Sequence, residues 1–183
     1  MNTSMIRPLF GFAIALAAAS CTSATTEAPT TTTTNPKSEK AVMPSTTAES
    51  NKRVMERFTR EFLPTGDAAL AEQFLSPDVV IHFAGQQQRG RDTYLGLVAA
   101  NRKAFPDLVW TVDQMVADGD TVAIRYTMTG TQRGTFAGVP ATGKSVTAQS
   151  MAFYHLVNGK IVEERAQLDM LAVLQQIGAI PTP

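Results

Sequence analysis

The stretch that decides the fold runs Met151-Ala-Phe-Tyr154-His155-Leu-Val157-Asn158-Gly159-Lys160-Ile161-Val162-Glu163-Glu164-Arg165-Ala-Gln167-Leu-Asp169. Asn158-Gly159 sits between two runs rich in β-branched and aromatic residues. Both central residues of a type I′ turn need φ > 0, which Asn and Gly tolerate best, so the segment reads as a β-hairpin. A two-residue register would set Tyr154 opposite Glu163, Ala152 opposite Arg165 and Ala148 opposite Asp169. Side chains alternate along a strand, so Ile161, Glu163, Arg165, Gln167 and Asp169 would share one face. A bulge would exchange the faces beyond it. On this reading the hairpin floors a small-molecule pocket, with Tyr154, Glu163 and Arg165 along it and Asp169 at its mouth.

Working backwards, the chain keeps a period of two as far as Leu108. Leu108, Trp110, Val112 and Val116 alternate with other residues. Asp118-Gly119 marks another hairpin, after which Val122, Ile124, Tyr126 and Met128 form one face. Arg125 then falls on the opposite face, and His155 points away from Tyr154. Trp110 and the phenylalanines read as core, with one or two lining a cavity. Gly134 to Lys144 contains glycines but lacks the spacing of a phosphate-binding loop and reads as a loop at the pocket rim.

Upstream the period is helical. Thr46-x-x-Glu49 forms a capping box that opens a helix to about Leu63, with Val54, Met55, Phe58, Phe62 and Leu63 as its apolar stripe. Pro64 and Gly66 end it. A short helix spans about Asp67 to Leu75, and Ser76-Pro77-Asp78 breaks it. Val79 to Phe83 is a short buried strand carrying His82, and Ala84 to Gly90 is a polar loop. A third helix runs from Gly90-Arg91-Asp92 to about Ala104. Three helices, then antiparallel strands, then a terminal helix after Asp169 make an α+β domain, with the helices packed on one side of a curved sheet.

Residues 1–20 carry Arg7, an apolar run from Leu9 to Ala19 and small residues, the pattern of a secretory signal. The run is shorter than the roughly 20 apolar residues needed to span a bilayer. The lone cysteine, Cys21, follows Ala18-Ala19-Ser20 and resembles the lipidation site of a bacterial lipoprotein. An incidental cysteine after an ordinary signal is the alternative. Residues 21–47 are rich in Thr, Ser, Ala and Pro and read as a tether without a core of its own, leaving 48–183 as the domain. Equal numbers of basic and acidic residues, 16 each, argue against a general nucleic-acid binder. Two histidines and one cysteine leave no Cys- or His-rich metal site.

The order and spacing of Phe105-Pro106-Asp107, Gly119-Asp120, Gly130-Thr131, Gly134-Thr-Phe-Ala-Gly-Val-Pro-Ala-Thr-Gly-Lys144, Gly159-Lys-Ile-Val-Glu163, Asp169 and Leu174-Gln-Gln-Ile-Gly178 resemble the SnoaL-like polyketide cyclases. These are also labelled ester cyclases, within the nuclear-transport-factor-2-like superfamily. The resemblance spans about residues 50–180. It implies an α+β cone and a homodimer through the outer sheet face. It also implies a small hydrophobic carbonyl-containing ligand and no cofactor or metal. The sequence departs from the family at Arg165, where the family usually has Trp.

The resemblance further implies that Asp169 takes and returns a proton beside a substrate carbonyl during an intramolecular aldol closure. Such a carboxylate needs an apolar setting that raises its pKa. Asp is equally a preferred N-cap for a helix starting near Met170. His82 would polarise a carbonyl or orient Asp169, or else is a satisfied core histidine. Against the cyclase stand a non-catalytic binding domain of the cell envelope and a hydrolase or isomerase of exported small molecules.

Overall fold

In a computed structural model of the protein, residues 46–182 are described. Cys21, the signal segment and nearly all of the tether lie outside them. Helix α1 (Thr47–Arg57) opens with the expected capping box: Thr46 Oγ1 accepts from the Glu49 amide, and Glu49 accepts from the Thr46 amide, both at 3.2 Å. It runs on as a single π-helical turn, Phe58–Phe62. Such a turn carries one residue more than an α-helical turn. It brings Phe58 and Phe62 inward together, both fully buried, with ring centroids 5.2 Å apart.

Helix α2 (Ala68–Phe74) is capped by Asp67. Strand β1 (Leu75–Phe83) follows directly. The chain reverses at Ala84-Gly85, both at positive φ, into β2 (Gln86–Arg89). This strand replaces the expected polar loop. Helix α3 (Arg91–Ala104) leads into β3 (Val109–Asp118), β4 (Thr121–Thr131), β5 (Ser145–Val157) and β6 (Lys160–Leu168), and α4 (Met170–Ile177) closes the domain. Asn158 and Gly159 adopt φ of 50° and 73°, as the hairpin requires.

The six strands form one sheet in the order β2-β1-β6-β5-β4-β3. The domain is α+β, as expected, with two corrections. The sheet is mixed, because β1 pairs with β6 in parallel, and it does not close into a barrel. The parallel pair joins segments some 80 residues apart, which hairpin signals cannot report. One face carries Val122, Ile124, Tyr126, Ala152, Tyr154 and Ile161 against the aromatic residues of the N-terminal helices. The other face is open to solvent among the described residues, with Arg125, Met151, Phe153 and His155 on it.

The connection from β4 to β5 is held by Gln132, a fully buried amide. Its Nε2 donates to the carbonyls of Gly134, Val139 and Pro140 at 3.0–3.2 Å. Its Oε1 accepts from the amide and hydroxyl of Thr142. At Gly134 a Cβ would meet the Lys103 carbonyl oxygen at 2.3 Å, so the loop lies flush on the end of α3. Gln132→Ala strips partners from several buried polar groups at once. It is expected to lower stability by about 2–3 kcal/mol, read as a shift in the urea midpoint at constant m-value. An unchanged midpoint would show that the loop holds itself.

Candidate active site

Between the inner sheet face and α3 lies a cavity of about 160 Å³. That is close to the roughly 150 Å³ of an engineered cavity that takes up benzene. Helix α3 presents Tyr94, Leu97, Val98, Asn101 and Arg102 to it, a three-and-four spacing that keeps all five on one face. The sheet contributes Ile81, Phe83, Trp110, Tyr126, Ser150, Tyr154, Glu164 and Ala166, among others, and Phe136 comes from the Gln132-anchored loop.

Glu164 is the one acidic side chain among the described residues of this lining. A bulge puts it there. Leu156 pairs with Ile161, but His155 pairs with Glu163, so Val162 is an extra residue in β6. Beyond it Tyr154 lies opposite Glu164, not Glu163. The faces are therefore exchanged relative to the unbulged register. Glu164, Ala166 and Leu168 face the cavity; Glu163, Arg165 and Gln167 face outward. That corrects the expected pocket positions of Glu163 and Arg165, while Trp110 and Tyr154 are both in the lining.

Burial pushes the Glu164 carboxyl up to about 7. The hydroxyls of Tyr94 and Tyr154 offer it hydrogen bonds, which offset part of the desolvation. Burial also raises Tyr94 and Tyr154 well above the usual phenol range, and Tyr126 in the same direction. All three tyrosines therefore remain protonated donors at any physiological pH. The Tyr126 and Tyr154 hydroxyls are 3.2 Å apart. The Phe58 ring packs edge-on against both Tyr154 and Tyr94, and Trp110 against Tyr126, fixing the three phenols from behind. The Ser150 hydroxyl is already committed to the Gln167 carbonyl at 2.9 Å.

The two residues expected to act together, Asp169 and His82, are not brought together. Asp169 is exposed, lies outside the cavity lining, and accepts from the Ala172 amide at 2.9 Å as the N-cap of α4. Its capping function is what the local sequence offers most directly. His82 lies on the outer face between Ile81 and Phe83, which point inward. Its Nε2 meets Glu163 Oε1 at 2.9 Å, and Arg165 donates to the same oxygen at 2.6 Å. His82, Glu163 and Arg165 thus form a polar cluster of their own, on the side away from the cavity. Tyr94, Tyr126, Arg102 and Glu164 were not singled out as site residues by sequence. The spacing of Tyr94 and Arg102 on one face of α3 was a usable signal; nothing in the composition of Lys160–Leu168 announces a bulge.

A carboxylate near neutrality, ringed by phenols in an apolar cavity, is the arrangement needed to move a proton beside a carbonyl. Comparison with known proteins gives the family. Residues 53–177 match the model of the SnoaL-like polyketide cyclases. The chain belongs to that family. Among its SnoaL-like relatives is the aklanonic acid methyl ester cyclase DnrD of Streptomyces peucetius. It is 26% identical over 113 residues, covering 61% of this chain and 77% of that protein. A SnoaL-like polyketide cyclase structure from Jannaschia sp. CCS1 superposes with a TM-score of 0.68 at 26% identity, covering 75% of this chain and 97% of its own. AclR of Streptomyces galilaeus, described as a hydroxylase, superposes with a TM-score of 0.63 at 29% identity, covering 73% of this chain and 83% of its own.

Proposed function

We propose that the protein is a cofactor-independent cyclase, or a closely related isomerase or lyase, in which Glu164 is the acid and base. The observation that carries this reading is the Glu164 carboxyl, held near pH 7 inside the apolar cavity with tyrosine donors around it. Its ionised form takes a proton from the carbon next to a substrate carbonyl. The enolate that forms is stabilised by a phenol hydroxyl, released because Glu164 has become neutral on taking the proton. Its carbon attacks a second carbonyl of the same molecule, forming the ring bond and leaving an alkoxide. Glu164 returns the proton to that oxygen, so no proton or electron is lost or gained. The cavity supplies the folding of the substrate that brings the two carbons together.

The reading is tested with the full chain and a small bicyclic ketone, 2-tetralone, in deuterium oxide at pH 7. Proton NMR should show catalysed exchange at the carbons flanking the carbonyl. Asp169→Asn should retain this exchange, because Asp169 caps α4 outside the cavity. Its stability should barely change, because Asn caps a helix N-terminus about as well as Asp. Loss of exchange in Asp169→Asn with an unchanged melting temperature would instead move the acid–base role to Asp169.

The reading extends to location and assembly. The signal pattern and Cys21 support an exported, lipid-anchored protein. Mass spectrometry of the mature N-terminus would show a diacylated cysteine, and an intact residue-1 terminus would refute it. The outer sheet face supports a homodimer. Across it run Val116, Ala123, Phe153 and Arg165 on successive strands. Phe153, Met151 and Val116 are each more than half exposed there. Aromatic and methionine side chains bordered by a polar cluster are the usual make-up of a subunit contact. Sedimentation in detergent should give a dimer that Phe153→Asp converts to a monomer. A wild-type monomer at high concentration would refute it.

A further inference from the structure

The cavity lining holds one further charged side chain, Arg102. It pairs with no carboxylate among the described residues, although five N–H groups are available to a guanidinium. Its one hydrogen bond among the described residues is to the carbonyl of Pro64. That contact and the packing of its stem beside Gly66, whose added Cβ would lie 4.0 Å from Arg102 Cδ, brace the side chain against the turn after the π-helical segment. The nearby C-terminal carbonyl of α3 is answered elsewhere: the amides of Arg133 and Gly134 both donate to Ala104. Arg102 is therefore not committed to neutralising the helix end. The same lining includes the apolar Leu63, Val98, Leu108 and Phe136. Asn101 precedes it on the same helix face.

Tyr94, which serves Glu164, and Arg102 lie eight residues apart on one face of α3. At 1.5 Å per residue this sets them roughly 12 Å apart along the helix axis. The cavity thus has a proton-transfer end and a cationic end, with apolar walls between. We infer that Arg102 anchors a carboxylate, and that the substrate class is a carbonyl compound bearing an apolar, ring-sized body and one acidic terminus. A planar guanidinium holding a carboxylate by two parallel hydrogen bonds gives both attraction and direction. It would hold the carbonyl end towards Glu164. The assignment of the carbonyl end rests on the Glu164 reading; the anchor does not.

The test uses the full chain, calorimetric titration, and two probes, 5-oxo-5-phenylpentanoate and its methyl ester. Wild type should bind the acid at least tenfold tighter than the ester. Arg102→Gln should lose that preference and bind the ester as before, and Arg102→Lys should restore part of it. Glu164→Gln should keep the preference but lose deuterium exchange beside the ketone. If exchange survives in Glu164→Gln while the preference still depends on Arg102, the proton-transfer reading fails and the anchor stands. Equal binding of acid and ester by wild type, a preference untouched by Arg102→Gln, or no binding of either probe at millimolar concentration would overturn the proposal.

Discussion

Glu164→Gln should cut turnover by about 10²–10⁴-fold while leaving the fold intact, since a positioned acid–base group contributes roughly that factor. Gln keeps the shape and can still accept from Tyr94 and Tyr154, but it cannot take a proton. The wild-type kcat/KM should rise with pH through a limb near 7, as the carboxyl ionises, and the variant should lack that limb. Stability should move the other way. The carboxyl is held up to about 7 in the native state, against 4.5 when unperturbed, so the folded protein retains a proton that the unfolded chain has released. Stability is therefore highest below about pH 4.5 as far as this group is concerned. It declines as pH rises and levels off above about 7. The full difference corresponds to at most about 3 kcal/mol. Urea unfolding of wild type and Glu164→Gln at pH 5, 6, 7 and 8 separates this contribution, because the variant lacks the group. A pH dependence identical in both proteins would mean that Glu164 is ionised and well solvated, and the proposed chemistry would lose its base.

Phe58→Ala should cost about 3–5 kcal/mol, the range for emptying an aromatic site in a packed core. Phe58 is fully buried and touches Phe62, Phe74, Tyr94 and Tyr154 with centroid separations of 5.2–6.5 Å. Against a typical stability of 5–15 kcal/mol this is a large share, and the melting temperature should fall by on the order of 10–20 °C. The loss should reach the site as well, because Phe58 is the common backing of the two tyrosines that serve Glu164. Phe58→Leu, which refills most of the volume, should recover most of the stability. If Phe58→Ala melts within 3 °C of wild type, the aromatic cluster is not the core that its burial suggests.

Local grammar carried most of the fold. Thr46 with Glu49, Asp67, Asn158-Gly159 and the alternation from Val122 to Met128 each state a helix start, a turn or a buried face within a few residues, and the structure agrees at each. Strand β2 was illegible because Gln86–Arg89 has no apolar period; it exists through its pairing with β1. The parallel β1–β6 contact was illegible because only tertiary packing makes it. At the site, Trp110 and Tyr154 were readable from alternation upstream of the bulge. Glu164 was not, since one extra residue at Val162 reverses every side chain after it, and the choice between Glu163 and Glu164 turns on that residue alone.

The same bulge bears on the fidelity of folding. Consecutive residues Glu163, Glu164 and Arg165 mean that any one-residue slip of β6 would drive two opposite charges into the apolar cavity and expel Ala166 and Leu168 to solvent. Each charge would lose its hydration, and only one of the two could take the place opposite Tyr154 that Glu164 now holds. Outside, Glu163 would be parted from His82. A mispaired strand is thus penalised on both faces at once. The extra residue that turns Glu164 inward also marks the correct alignment of the strand, and a chain in the wrong register loses on both counts.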